Sequence, residues 1–421
     1  MATPLMLATF ELNQFIWRIG PYFKFYVEWN CYHEEFNVTL SQKRIFRWYI
    51  FGLLPQIALF INFIYLLHFG LHHPLANHPL NWIMTIFFFL LHGYSVVSHT
   101  YMCRMNRAQD IFRYVNAVLK FSKSNQNQIS IENERGRPGR LNLRKLATTI
   151  LSEFDKVRKG GNLDKPGLAV FHIALYFAMG PLILAFIAVG YLSLINLRWD
   201  PLYLALLNYC SYQFVDTLYS SYIFLILYSS TVSLFTFAEM NRVLNLFFTC
   251  ILVIAHCTKQ TLSNISKLFR ENRKYEAMKE YKRLMLVHTA EKTIAGFIVF
   301  LLMGIGYAII VLAASVTVMS FESLPMEVYW LFPATTAIGG VMLLLTFPYA
   351  TSTYNFSQGM LREWNWKTAS NSKHYKLSLR TLKPICFHFG SYRELNDEAE
   401  VVYLTSVIER VANGILFLNS I

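Results

Sequence analysis

Apolar runs longer than 18 residues recur through this chain of 421 residues. A run of that length matches the hydrocarbon thickness of a bilayer, so the sequence reads as a polytopic membrane protein. Composition agrees. The chain is 54% hydrophobic and only 15% charged, where soluble domains carry about 25% charged residues. A soluble chain of this length would divide into about two or three domains. Here the spans make one all-α membrane domain.

The expected spans lie at 48–71, 82–102, 168–194, 204–237, 293–318 and 328–349. Pro181 would kink the third. A Gly304/Gly306 pair in the fifth permits close packing. The parts then run as follows: 1–45, an N-terminal segment of short interfacial helices; 46–102, helices one and two; 103–166, a basic loop; 167–237, helices three and four; 238–292, a helical extension; 293–349, helices five and six; 350–395, a polar, basic segment; 396–421, a closing helix. The middle of the basic loop, KSNQNQISIENERGRPGR, is polar and predicts disorder, with helical pieces at 108–121 and 143–157 on either side.

Charge sets the orientation. With a cytoplasmic N-terminus, 37 of the 38 Lys and Arg fall on the cytoplasmic side and only Arg198 falls outside. The positive-inside rule is then satisfied almost completely. The same count argues that the apolar run 244–257 is a cytoplasmic extension of helix four, because a separate span there would move the next basic stretch, KLFRENRKYEAMKEYKR, outside. The closing helix then ends outside, giving seven spans with an extracellular C-terminus. Sequons at Asn37, Asn264 and Asn355 would all be cytoplasmic and unused. The N-terminus shows no signal-peptide pattern. The six cysteines contain no CxxC pair and no metal spacing, so neither a disulfide framework nor a zinc site is expected.

The closing stretch is TLKPICFHFGSYRELNDEAEVVYLTSVIERVANGILFLNSI. An extended piece, Lys383 to Phe387, leads to Gly390. In the helix that follows, Val401, Leu404, Val407, Ile408, Val411, Ile415 and Leu418 recur at steps of three and four as one oily face. Glu398, Glu400, Thr405, Glu409, Asn413 and Ser420 take the other. Leu or Ile favours insertion by roughly 0.3–0.6 kcal/mol each, while a central charge opposes it by about 2.5–3.5 kcal/mol. Glu409 and Arg410 therefore cancel most of the gain. Such a helix lies on the surface, or it spans with its polar face against protein or water, as a pore lining does.

On span four, Tyr209, Tyr212, Asp216 and Tyr219 recur at three and four and share one face, flanked by Gln213. Asp216 lies roughly 18 Å into the helix at 1.5 Å per residue. Two readings stand. An intramembrane acid among tyrosines can line a pocket for a small organic ligand. It can equally sit in a hydrogen-bonded packing network. Tyr191, Trp330 and Thr335 would face the same space. His72, His73 and His78 read as a solvated turn broken by Pro74 and Pro79, and His92 and His99 as core or interface histidines. The basic loops would meet anionic lipid rather than nucleic acid. No phosphate loop, nucleophile elbow or metal triad is present in the sequence, so neither an enzyme nor a cofactor is expected.

Seven spans with the N-terminus inside reverse the arrangement of a G-protein-coupled receptor. The layout resembles the insect odorant and gustatory receptor superfamily. The residues that carry the resemblance are Trp199-Asp200-Pro201 followed by Phe214-Val215-Asp216-Thr217-Leu218, then Lys383-Pro384-Ile385, Gly390-Ser391-Tyr392 and a closing helix that ends almost at the last residue. The Thr-Tyr of the gustatory closing motif is missing, and Ala412-Asn413 stands there. Asn419 stands where that motif has Gln.

The resemblance implies a ligand-gated, non-selective cation channel in a sensory neuron's plasma membrane, opened by an odorant or tastant. It implies a tetramer, or a heteromer with a co-receptor, around the closing helix, with a shared cytoplasmic anchor. Ligands would bind among helices two, three, four and six. Carried over by position, Leu416 is the apolar gate, with Asn419 and Ser420 at the outer mouth. Four copies of Glu409 would form a cation-favouring ring near Asn413. Alternatively, Glu409 pairs with a basic residue of a neighbouring subunit. A non-channel scaffold or trafficking protein on the same fold is the main alternative. A transporter is a further one, although the sequence shows no inverted repeat.

Overall fold

The computed structural model describes residues 3–19, 27–30, 35–38, 46, 49–70, 79–103, 105–124, 170–171, 210, 213–214, 217, 222–290, 292–319, 326–367, 373–390 and 393–419. Helix α1 (Pro4–Ile19) precedes an antiparallel hairpin of β1 (Val27–Asn30) and β2 (Glu35–Val38). A π-helical turn (Tyr49–Leu53) opens α2 (Leu54–Gly70). Helices α3 (Pro79–Cys103) and α4 (Met105–Ser124) follow, then α5 (Tyr222–Arg270), α6 (Lys274–Ala290), α7 (Lys292–Met319), the single turn α8 (Met326–Tyr329), α9 (Leu331–Lys367) and α10 (Lys373–Arg380). A second hairpin, β3 (His388–Phe389) with β4 (Arg393–Glu394), leads into α11 (Asp397–Asn419). Most of the expected third span with Pro181, most of span four before Tyr222, the helix at 143–157 and the 72–78 turn lie outside the described residues.

The N-terminal segment corrects the expectation of short helices alone. Trp29 and Phe36 pair across the first hairpin. Their rings lie 4.8 Å apart, and Phe10 of α1 packs on both at 4.6 and 5.2 Å. Asn116 of α4 clips the strand from both sides: its Oδ1 accepts from Phe36 N–H and its Nδ2 donates to Phe36 C=O, each at 2.8 Å. VEWN and EFNV are short alternating pieces whose apolar members need this aromatic partner. A single-chain pattern of four residues hides that.

Helix α5 is continuous for 49 residues, about 74 Å at 1.5 Å per residue. A hydrocarbon core of about 30 Å holds less than half of it. The run 244–257 is therefore an extension of the same helix. Three described stretches are long and apolar enough to cross a membrane: Asn241–Arg270, Ala295–Met319 and Leu331–Trp366. The first has 67% of its most apolar window buried inside the protein, against 18% for the third. Protein, not lipid, covers most of that lower half of α5.

The basic stretch after α5 is interrupted rather than continuous. Asn272 takes a positive φ of 66°. Asn272 N–H donates to Phe269 C=O, and Arg273 N–H to Leu268 C=O. This is a Schellman ending with asparagine in the glycine position, and it folds α6 back along α5.

Helix α9 runs past the expected end of span six, through Pro348, to Lys367. Buried Ala350, Thr353, Ser357, Met360, Leu361 and Trp364 continue its helical stripe. Trp364 stacks on Phe269 at 4.6 Å, and Tyr281 meets it edge-on at 5.8 Å. Leu379, Leu382 and Ile385 close this second core. The extensions of α5 and α9 with α6 and α10 thus form one packed body. Its neighbour is a larger core that joins α1, the first hairpin, α4, α5, α7 and the stretch before α11. His288 of α6 sits where the elements converge, 2.8 Å from Tyr114 Oη and 3.0 Å from Thr258 Oγ1.

Candidate functional site

Helix α11 starts where the sequence caps it. Asn396 Oδ1 accepts from Ala399 N–H at 2.8 Å, which satisfies one of the free donors of the first turn. Asp397, Glu398 and Glu400 match the positive end of the helix dipole. Two of these acids also clip α11 to α9. Asp397 accepts from Asn355 Nδ2 at 2.6 Å and Glu400 from Thr351 Oγ1 at 3.2 Å.

One side of α11 is laced along α7. Tyr403 Oη donates to Met303 C=O at 2.8 Å. Tyr307 Oη lies 2.9 Å from Ser406 Oγ. Ser315 approaches so closely that a Cβ on Gly414 would stand 2.5 Å from its Oγ. Two further close approaches of α7 are made at Gly296, against Gly390, and at Ile310, against Gly339. The Gly304/Gly306 pair does not make one: a Cβ at Gly306 would meet nothing within 4 Å, and at Gly304 only Phe300 of its own helix.

The oily face expected from periodicity is corrected in the same way. Leu404, Val407, Val411 and Ile415 are half-buried, but Val401 and Ile408 are 62% and 70% exposed. Glycine and hydroxyl contacts select the packed side, because two apolar faces are equivalent in an apolar surrounding. The open side carries Val401, Val402, Thr405, Ile408, Glu409, Arg410, Ala412, Asn413 and Leu416, an arc of about 200° at 3.6 residues per turn. It combines a carboxylate, a guanidinium, an amide, a hydroxyl and apolar groups. Of the expected pore residues, Glu409, Asn413 and Leu416 lie on this arc. Asn419 is the last residue of α11, and Ser420 lies outside the described residues.

The expected ligand site is only partly described. Tyr191, Tyr209, Tyr212, Asp216 and Tyr219 lie outside the described residues. Gln213 is exposed, and its carbonyl accepts from Thr217 Oγ1 at 2.7 Å. Trp330 is exposed at the turn before α9. Thr335 is half-buried, and its hydroxyl is bonded to Leu331 C=O of its own helix. His92 is a core histidine as expected: its Nδ1 is 3.1 Å from Gln56 Oε1 and its ring stacks on Phe63.

The hairpin before α11 holds a group that the sequence reading missed. Cys386, His388 and Glu394 bring their ligand atoms within 4.8 Å of one another. Burial pushes the Cys386 thiol up to about 12, with Glu394 adding to that and Lys292 opposing it. Burial and then Lys292 hold His388 below the ordinary imidazole range. The legible signal was Cys-x-His on an extended strand, since alternate residues share a face. Glu394 joins them only through the hairpin register.

No protein-family model and no curated protein matches the chain. Among solved structures it is similar to the insect olfactory receptor OR5 from Machilis hrabei. The likeness covers 97% of this chain and 96% of that one, with a TM-score of 0.54 and 13% sequence identity. The chain has the olfactory-receptor fold. The likeness and the three long apolar helices agree on a helical membrane protein. In this chain α11 is the closing helix, and its open arc is mixed in polarity.

Proposed function

We propose that this chain is a chemosensory receptor that works as a ligand-gated, non-selective cation channel in the plasma membrane of a sensory neuron. Four copies, or copies with a co-receptor, would surround an axis lined by α11. The observation that carries the reading is the open arc of α11. Glu409 there would cost about 2.5–3.5 kcal/mol in lipid, whereas a ring around water gives it a cation-favouring role. The fold likeness supports the same reading. Leu416 would be the apolar constriction, with Asn413 below it and Asn419 and Ser420 above.

The ligand would be a small organic odorant or tastant. It would bind on the span-four face of Tyr209, Tyr212, Gln213, Asp216 and Tyr219, with Tyr191, Trp330 and Thr335 at the periphery. Binding must favour the open state; moving the balance from 1:99 to 99:1 takes about 5.5 kcal/mol of differential affinity. Seven spans with a cytoplasmic N-terminus suit the packing described above. The N-terminal segment, α4, the lower half of α5 and α6 join one body, and charge assigns all of them to the cytoplasmic side.

The test is whole-cell current from cells expressing the chain, challenged with a panel of volatile and soluble small molecules. An evoked inward cation current, reduced by Asp216→Ala and altered in selectivity by Glu409→Lys, is the expected result. Current with unchanged selectivity in Glu409→Lys would remove α11 from the pore.

A further inference from the structure

The cluster of Cys386, His388 and Glu394 is built by strand geometry. Cys386 and His388 are two apart on an extended segment and so share a face. Glu394 is the cross-strand partner of His388, and directly opposed residues present their side chains on the same face. The frame is fixed on two sides. Leu395 N–H donates to Phe387 C=O at 2.8 Å, and Gly390 N–H donates to Gly296 C=O of α7 at 3.0 Å. Gly390 turns with a φ of 61°.

We propose that this hairpin is a binding site for a zinc-class divalent cation, held by Cys386 Sγ, a ring nitrogen of His388 and a carboxylate oxygen of Glu394. One thiolate, one imidazole and one carboxylate are a borderline-soft set that suits Zn2+ and leaves the fourth position to water. Tetrahedral zinc with bonds of roughly 2.0–2.3 Å sets neighbouring ligand atoms about 3.3–3.8 Å apart. Cys386 Sγ and His388 Nε2 already stand 3.6 Å apart. All the ligand atoms lie within 4.8 Å, so closure takes about 1 Å of movement. The exposed Glu394 side chain can supply it.

Binding is written with its proton. The Cys386 Sγ stands 3.6 Å from His388 Nε2 and carries a proton before the ion arrives. The metal–sulfur bond forms as the S–H bond breaks, and one proton leaves to solvent for each ion bound. No electron is transferred. The ion would tie β3 to β4 two residues before α11 begins. The site does not depend on conduction, so its test separates from that of the channel.

The experiment is cobalt titration of the purified full-length chain in lipid nanodiscs, followed by zinc competition. A thiolate-to-cobalt charge-transfer band at one ion per chain, abolished by Zn2+, is expected. Cys386→Ser should lose the band, and Cys250→Ser, in the buried face of α5, should keep it. Glu394→Gln, at an exposed position that does not threaten folding, should weaken binding by roughly tenfold or more, tenfold being the lower end of the range even for indirect ligand partners. No band in the unmodified chain, a band retained in Cys386→Ser, or an unchanged affinity in Glu394→Gln would each overturn the proposal.

Discussion

Gly296 and Gly414 show how the identity of the opposing atom decides what a methyl group costs. At Gly296 an added Cβ would meet the Gly390 carbonyl oxygen at 2.5 Å. That atom belongs to a backbone held by its own hydrogen bond to Gly296. Gly296→Ala should therefore lose about 1–3 kcal/mol, the range for an overpacked site that cannot yield, read as a lower thermal midpoint in detergent. At Gly414 the opposing atom is Ser315 Oγ, the end of a short side chain. Gly414→Ala should cost less, and Ser315→Ala in the same chain should recover part of the loss. Equal losses at both positions would show that the backbone contact is not the stiffer one.

At the scale of elements, α6 is clamped to α4 and α5 through His288. Burial, and secondarily the charge of His388, lowers its pKa from 6.5 to about 4. A neutral folded imidazole with a higher unfolded pKa means that the unfolded chain binds the extra proton first. Stability is then complete above about 6.5 and falls as pH drops towards 4. His288→Gln should flatten that part of the stability–pH curve, measured by thermal melting across the same window. Thr258→Val should cost about 1–3 kcal/mol by leaving a buried ring nitrogen without its partner. Much of this element layer was legible in the sequence. The charge count identified 244–257 as an extension, and the 3.6-residue period marked α11. The packed side of α11 was not legible, because Val401 and Ile408 are as apolar as Val407 and Val411. What chooses between them is Tyr403, Ser406 and Gly414 against α7. The first hairpin was hidden for a related reason: Trp29 and Phe36 acquire their partner only from Phe10 and Phe112.

For the whole molecule, the common packing of the N-terminal segment, α4 and the lower half of α5 is a statement about sides. On the proposed orientation these elements lie together on the cytoplasmic side, with an even number of crossings between each pair. Epitope tags at the N-terminus and within 125–166 should show the same protease accessibility in sealed vesicles, and Asn37 should carry no glycan. Opposite accessibility would break the orientation. If the open arc of α11 is covered by other copies, the particle in mild detergent should have about four times the 49.0 kDa of one chain, and Glu409→Lys, which exchanges one ring of four like charges for another of equal repulsion, should leave that size unchanged.

Asn13 of α1 accepts a hydrogen bond from Asn245 of α5 across 232 residues of sequence, and Thr249 extends the pair. On a ribosome adding about 5–20 residues per second, the wait between the two is roughly ten to fifty seconds. Throughout that interval Phe10, Trp29 and Phe36 have α4 to lean on but not α5. The nascent chain thus carries a half-covered aromatic cluster while its next spans are being inserted. Its yield should depend on how promptly the lower half of α5 emerges, which makes the rate of elongation between them a determinant of correct assembly.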